Sequence, residues 1–199
     1  MSETAGGYWI VWAAQGMLGA MTTSLGLDFG TTNTVIARCQ PTGEAAPLVF
    51  HHKNEAFSTF RSVLCFWKEH VGTKNAILSE AGPWAIEHFI EDPRDCRFLQ
   101  SLKSFAASRL FESTIIYGKR YTFENLLQTF LQRVRAHAGG QSHVLPRRFV
   151  VGRPVKFGGS HPDAALALAR YEAALQDFGS KKPASYMNPS RPPSSSCSA

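Results

Sequence analysis

The sequence lacks both of the commonest glycine-rich nucleotide loops, since neither GxxxxGK[ST] nor GxGxxG occurs in its 199 residues. Its four cysteines are too far apart to form paired metal ligands and too few to staple a domain of this size. An N-terminal apolar run at residues 8–20 is too short to span a bilayer and has no basic segment before it. These absences exclude P-loop and Rossmann sites and predict a cytoplasmic protein with free thiols.

The charge balance also narrows the choice of partners. The chain has 21 Lys and Arg against 15 Asp and Glu, a formal net charge of +6. The basic residues are scattered, and no aromatic side chains are interleaved with them as in a nucleic-acid-binding motif. We therefore expect a solvated basic surface, with no nucleic acid and no membrane among the partners.

The composition divides the chain into three parts. Residues 1–20 form an N-terminal extension, residues 21–179 a globular part, and residues 180–199 a tail rich in Ser, Pro and Lys that cannot build a core. The globular pattern starts just after Met21, where MTTSLGLDFG has the character of a natural beginning. One hypothesis is therefore that the extension results from an upstream start codon. We expect the tail to be disordered.

Hydrophobic patterning predicts an α/β layered fold. The clearest helix is residues 123–138, where apolar side chains recur at the spacing of one buried face. The other predicted helices are residues 84–90, 98–107 and 162–178, and the predicted strands are residues 25–29, 34–39, 47–50, 62–67 and 148–152.

The segment that carries chemistry is the predicted hairpin turn after the first of these strands. Asp28 ends the strand, and a carboxylate there suits Mg²⁺ bound partly through water. Gly30 allows a conformation that other residues avoid and lets a phosphate approach, while Thr31 and Thr32 can donate hydrogen bonds to it. The alternative is an ordinary hairpin turn, in which Asp, Gly and Asn are common for local reasons.

The hairpin LGLDFGTTNTVIA (residues 25–37) is very similar to the first phosphate motif of the DnaK-type, or seventy-kilodalton heat-shock, chaperones of the actin and hexokinase-like superfamily. SLKSF and VGRPVKF further along resemble the divergent YegD-like branch, and the resemblance covers roughly residues 22–179. It implies the first lobe of a ribonuclease H-like, actin-type ATPase fold, a mixed sheet with flanking helices.

The same resemblance implies a site and its ligands. Gly30, Thr31, Thr32 and Asn33 would contact the phosphates of ATP, and Asp28 would hold Mg²⁺ through water. In an intact family member the partners would be ATP, client polypeptides and co-chaperones.

Two departures from the family pattern leave enzymatic activity open. The stretch AGPWAIEHF (residues 81–89) contains Glu87 but no lysine where the family has its catalytic one, and we interpret Lys103 on the next helix as structural. In the tail, one set of codons for residues 186–194 spells VYEPVAAAF when shifted by one base, similar to the EPTAAA motif that closes the lobe. The tail is therefore predicted to be a frameshift product.

Together these features predict a truncated fragment of a DnaK-like ATP-binding and ATP-hydrolysing domain that is inactive alone. We do not expect it to bind ATP tightly, because the second phosphate loop and the adenosine segment normally come later. Two alternatives remain open. One is a sugar or metabolite kinase of the same superfamily, and the other is a non-enzymatic remnant.

Overall fold

The computed structural model describes residues 9–13, 24–40, 42, 44–71, 74–139, 148–152 and 162–180. The strands are β1 (Trp9–Ala13), β2 (Ser24–Phe29), β3 (Asn33–Cys39), β4 (Ala45–Pro47), β5 (Phe50–His52), β6 (Glu55–Phe57), β7 (Thr59–Arg61), β8 (Leu64–Val71), β9 (Lys74–Ala81), β10 (Cys96–Leu99), β11 (Thr114–Ile116), β12 (Lys119–Tyr121) and β13 (Arg148–Gly152). The helices are α1 (Gly82–Glu91), α2 (Lys103–Ala106), α3 (Phe123–His137) and α4 (Ala164–Ser180). None of the helices in these ranges is long and apolar enough to cross a membrane.

The largest sheet has six strands and is mixed. Its order is β1-β13-β2-β3-β4, and β7 also pairs with β3. β13 runs parallel to β2, whereas the other pairs in this sheet are antiparallel. The predicted mixed α/β class is thereby confirmed.

β2 places its side chains alternately on the two faces of this sheet. Leu27 and Phe29 are buried, and Asp28 between them is exposed. Such alternation follows from the two-residue period of a strand. Asp28 therefore lies on the sheet face opposite to the core. Leu27 lies on the core face, where its strand neighbours Ile36 of β3 and Val151 of β13 are also buried.

α3 and α4 cover the core face of the sheet. The buried side of α3 consists of Phe123, Leu126, Leu127, Gln128, Phe130, Leu131 and Val134, so the predicted helix over residues 123–138 is confirmed. A reciprocal capping box between Thr122 and Asn125 starts the helix. The Phe29 ring of β2 packs against both helices: its centroid is 5.4 Å from that of Phe130 in α3 and 6.3 Å from that of Tyr171 in α4.

A smaller antiparallel sheet, β10-β8-β9, packs against α1. α1 starts at Gly82, whose φ is +61°, and a Cβ there would lie 2.4 Å from the Phe60 ring. Glycine is needed here for both reasons. Pro83 then occupies the first turn of α1.

The short helix α2 is tied to α4 by Arg170. Its Nη1 donates to the carbonyl oxygens of Phe105 (2.7 Å), Ala106 (3.1 Å) and Ser108 (3.1 Å). Asp163, before α4, accepts from the Leu166 amide at 2.9 Å and from Arg109 at 2.7 Å. α4 and the residue before it thus fix α2 and the segment that follows it.

Several predicted boundaries are wrong. Residues 98–107 are not one helix, because Phe98 and Leu99 belong to β10, which pairs with β8, and α2 begins only at Lys103. Residues 47–50 are not one strand: β4 ends at Pro47 and β5 begins at Phe50. The strand predicted from residue 62 begins at Leu64. The last helix begins at Ala164, two residues later than predicted, and extends to Ser180.

Some predictions fall outside the described residues. These are residues 181–199 of the tail with the predicted frameshift, residues 153–157 of the VGRPVKF segment, and most of the N-terminal extension. Within the extension, β1 pairs antiparallel with β13, with Trp9 opposite Gly152. The hypothesis of an upstream start codon remains a prediction.

Candidate functional site

The turn between β2 and β3 is closed by its own backbone. The Gly30 amide donates to the Asn33 carbonyl oxygen at 2.9 Å. A Cβ on Gly30 would lie only 2.2 Å from that oxygen, so any other residue would collide with it. The predicted reason for glycine, a conformation that other residues avoid, is wrong, since Gly30 is not in the left-handed region. Glycine is required because of this close approach, and the approach of a phosphate stays a prediction.

The residues of the turn project toward solvent. Thr31, Thr32 and Asn33 are exposed, and Asp28 is exposed on the preceding strand. Two hydroxyls, an amide and a carboxylate are therefore available within six consecutive residues. The predicted site residues lie together at one end of the main sheet.

A small cavity opens beside the turn. Its volume is about 160 Å³, and its lining consists of Thr31, Thr32, Arg61, Val63, Ile86, Phe98, Gln100 and Ser101. The cavity thus combines residues of the turn with residues from β7, α1, β10 and the segment before α2. Drug-sized ligands fill pockets of about 300–1,000 Å³, so this space suits a single small group.

A buried contact holds the turn against the strand that supplies Arg61. The hydroxyl oxygens of Thr34 and Ser62 are 2.8 Å apart. The Ser62 amide also donates to the Thr32 carbonyl oxygen at 2.9 Å. One side-chain and one backbone hydrogen bond therefore hold the turn against the end of β7.

Asn33 is also engaged with β7. It pairs directly with Arg61 in the sheet register, and its Oδ1 accepts a hydrogen bond from the Arg61 Nη1 at 3.1 Å. The amide oxygen of Asn33 therefore orients the guanidinium in this structure.

Asp28 has a cationic neighbour in Lys103. Burial of the Lys103 side chain lowers the pKa of its ammonium group, and the Asp28 carboxylate acts in the opposite direction. Lys103, interpreted from sequence as structural, therefore lies within electrostatic range of the proposed metal ligand.

A Mg²⁺ ion at Asp28 would need phosphate oxygens and water to complete its coordination. In the described part of the chain no group of three or more His, Cys, Asp or Glu is arranged to hold a metal ion. Mg²⁺ nevertheless often keeps several waters and takes one or two carboxylates plus phosphate oxygens. A lone exposed carboxylate beside hydroxyl donors is compatible with that coordination.

α1 brings no cation to the small cavity. Ile86 lines it and also lines a larger cavity of about 590 Å³ between α1 and the β5–β6 hairpin, whereas Glu87 lines only the larger cavity. There Glu87 forms an ion pair with Lys53 at 2.6 Å, and its carboxylate lies 3.1 Å from the His52 Nε2. The hydrogen bond from Lys53 lowers the pKa of Glu87. Where the resembled family has its catalytic lysine, α1 of this chain therefore presents the apolar side chain of Ile86 to the small cavity.

Sequence reasoning missed three polar residues of the cavity, Arg61, Gln100 and Ser101. They are remote from the turn in sequence, and no spacing pattern connects them to it. Ser101 has a positive φ of +57°, which a sequence does not reveal for a serine.

Comparison with protein-family models and with curated proteins finds no match for this chain.

Proposed function

We propose that this chain is part of an ATPase domain of the DnaK chaperone type and that the turn from Asp28 to Asn33 binds the phosphates of Mg-ATP. The observation that carries the proposal is the shared cavity, in which Thr31 and Thr32 face Arg61, Gln100 and Ser101. These side chains offer hydroxyl, amide and guanidinium donors, which suit a phosphate group.

The arrangement of the strands also supports the proposal. The turn joins two antiparallel strands at the end of a mixed sheet, and the parallel strand β13 lies next to β2. The resemblance of LGLDFGTTNTVIA implies a hairpin in such a sheet. The finer assignment to an actin-type ATPase fold is part of the proposal.

Each residue has a separate task in this proposal. Gly30 keeps the turn narrow, Thr31 and Thr32 donate to phosphate oxygens, and Asp28 binds water molecules of the magnesium ion. When bound, Mg²⁺ supplies neutralisation of phosphate charge. Asn33 contributes through the orientation of Arg61.

The proposal for this chain is binding rather than turnover. The cavity has room for a phosphate group but not for a whole nucleotide, so we expect weak affinity, in about the millimolar range. Client polypeptides and co-chaperones in the cytoplasm are the partners that the proposed family would bring.

The experiment is a titration of Mg-ATP with the purified chain, followed by ³¹P NMR. We expect broadening and displacement of the phosphate resonances, weakened in a Thr31→Val/Thr32→Val variant and unchanged in Thr59→Val, an exposed threonine on β7. Identical spectra with and without protein at millimolar concentrations would contradict the proposal.

A further inference from the structure

Arg61 is the last residue of β7 and is attached to the turn from two directions. In the sheet it stands opposite Asn33, and its guanidinium donates to the Asn33 side chain at 3.1 Å. The residue after it, Ser62, bonds the Thr32 carbonyl through its amide and the Thr34 hydroxyl through its side chain. The guanidinium is thus positioned by a rigid strand and by the turn itself.

The cavity that Arg61 shares with Thr31 and Thr32 favours an anion. Among the described residues that line it, Arg61 alone carries a charge. The other polar lining groups are the hydroxyls of Thr31, Thr32 and Ser101 and the amide of Gln100. A positive charge surrounded by hydrogen-bond donors, with no carboxylate in the lining, repels cations and attracts small anions.

The guanidinium has capacity left for such a ligand. It carries five N–H donors in a planar fork, and the hydrogen bond to Asn33 uses one of them. The fork matches two oxygens of a phosphate group at once, which a lysine ammonium cannot do. The volume of about 160 Å³ limits the ligand to a small tetrahedral group rather than a base or a sugar ring.

We propose that Arg61 is the phosphate-binding cation of this site and that it accepts a phosphate group in the cavity beside Thr31 and Thr32. The identity of that group as part of a nucleotide rests on the function proposed above. In this arrangement Arg61 supplies, from β7, the positive charge that α1 does not bring to the cavity. Asn33 is a positioning residue that directs the fork.

The test compares Arg61→Gln with Arg94→Gln, which removes the same charge from an exposed arginine outside the cavity lining. Binding of inorganic phosphate and of Mg-ADP is measured separately by ³¹P NMR, and circular dichroism checks the fold of each variant. We expect Arg61→Gln to weaken phosphate binding about tenfold or more, as for the loss of a charge-assisted hydrogen bond. Arg94→Gln should bind as the wild type does.

Two further variants separate charge from geometry. Arg61→Lys keeps the charge but not the fork, so its phosphate affinity should fall between those of wild type and Arg61→Gln. Asn33→Ala should reduce affinity less than Arg61→Gln does, because it frees the fork without removing it. Equal affinities of wild type and Arg61→Lys would overturn the bidentate geometry.

The remaining outcomes distinguish the two proposals. Unchanged phosphate and Mg-ADP binding in Arg61→Gln overturns the inference on Arg61 and leaves nucleotide binding standing. Phosphate binding that depends on Arg61 without any Mg-ADP binding supports the anion site and overturns the nucleotide function. Binding of neither ligand by the wild type overturns both.

Discussion

The hydroxyl groups of Thr34 and Ser62 meet at 2.8 Å inside the protein, where both residues are fully buried. Thr34 belongs to β3, immediately after the turn, and Ser62 follows β7. A polar pair in the core costs free energy unless both groups are satisfied. This pair therefore links the turn to the strand that carries Arg61.

Ser62→Ala should destabilise the protein by about 1–3 kcal/mol, because it leaves the Thr34 hydroxyl without this partner in a buried position. Urea denaturation measures the change in the free energy of unfolding. Adding Thr34→Val should recover part of the loss, since removing both polar groups avoids an unsatisfied one. Strictly additive effects of the two substitutions would contradict a direct coupling.

Gly30→Ala should disrupt the turn. Its new Cβ would meet the Asn33 carbonyl oxygen at 2.2 Å, so the backbone must shift, at a cost of about 1–3 kcal/mol or more. Gly26→Ala is a matched control on β2, where the nearest atom to a new Cβ is 3.9 Å away. We expect thermal denaturation to separate the two variants clearly. Equal melting temperatures would remove the steric account of Gly30.

Asp28→Asn should lower the affinity for ADP in the presence of Mg²⁺ by about tenfold or more, because an amide cannot hold the hydrated cation as a carboxylate does. The measurement is a Mg²⁺ titration at fixed ADP. Asp92→Asn, at another exposed position at the end of α1, serves as the control. A magnesium response identical to that of wild type would exclude Asp28 from this task.

Asp163 should make stability depend on pH in the acid range. The Leu166 amide, and then Arg109, hold the pKa of Asp163 below its ordinary value of 3.8. Because the folded-state pKa is lowered, the stabilisation is present above the ordinary pKa and is lost as the pH falls through the folded-state pKa.

The control for this pH dependence is Asp163→Asn, which keeps a capping side chain without the charge. Wild type should be more stable than this variant at pH 7, and the difference in melting temperature should vanish once the pH falls below the folded-state pKa of Asp163. A difference independent of pH would show that the charge of Asp163 contributes nothing.

The hairpin and the helix α3 could be predicted because their signals are local. β2 alternates apolar and polar side chains up to Asp28, and Gly30 marks the turn. α3 repeats its apolar residues at helical spacing with a capping residue, Thr122, before them. Short-range patterns of this kind depend little on the rest of the chain.

The region around Phe98 shows why other elements could not be predicted. Phe98, Leu102 and Phe105 fit a helical face, but pairing with β8 gives residues 96–99 the backbone partners of a strand. Tertiary pairing outweighs local periodicity there.

The cavity had the same limitation. Arg61 reaches the turn through the pairing of β7 with β3, a contact across 28 residues. Ser101 lies two residues before α2, and α2 itself is bound by Arg170 of α4. Neither contact can be predicted from the spacing of residues in the sequence.

The most direct measurement of the central claim is a ¹⁵N–¹H NMR titration of the labelled chain with Mg-ADP. The account predicts that the amides of Gly30, Thr31 and Thr32 and the Arg61 guanidinium shift progressively with ligand, while residues 52–55 beside the larger cavity do not. The absence of shifts in the turn, or shifts confined to that larger cavity, would contradict it.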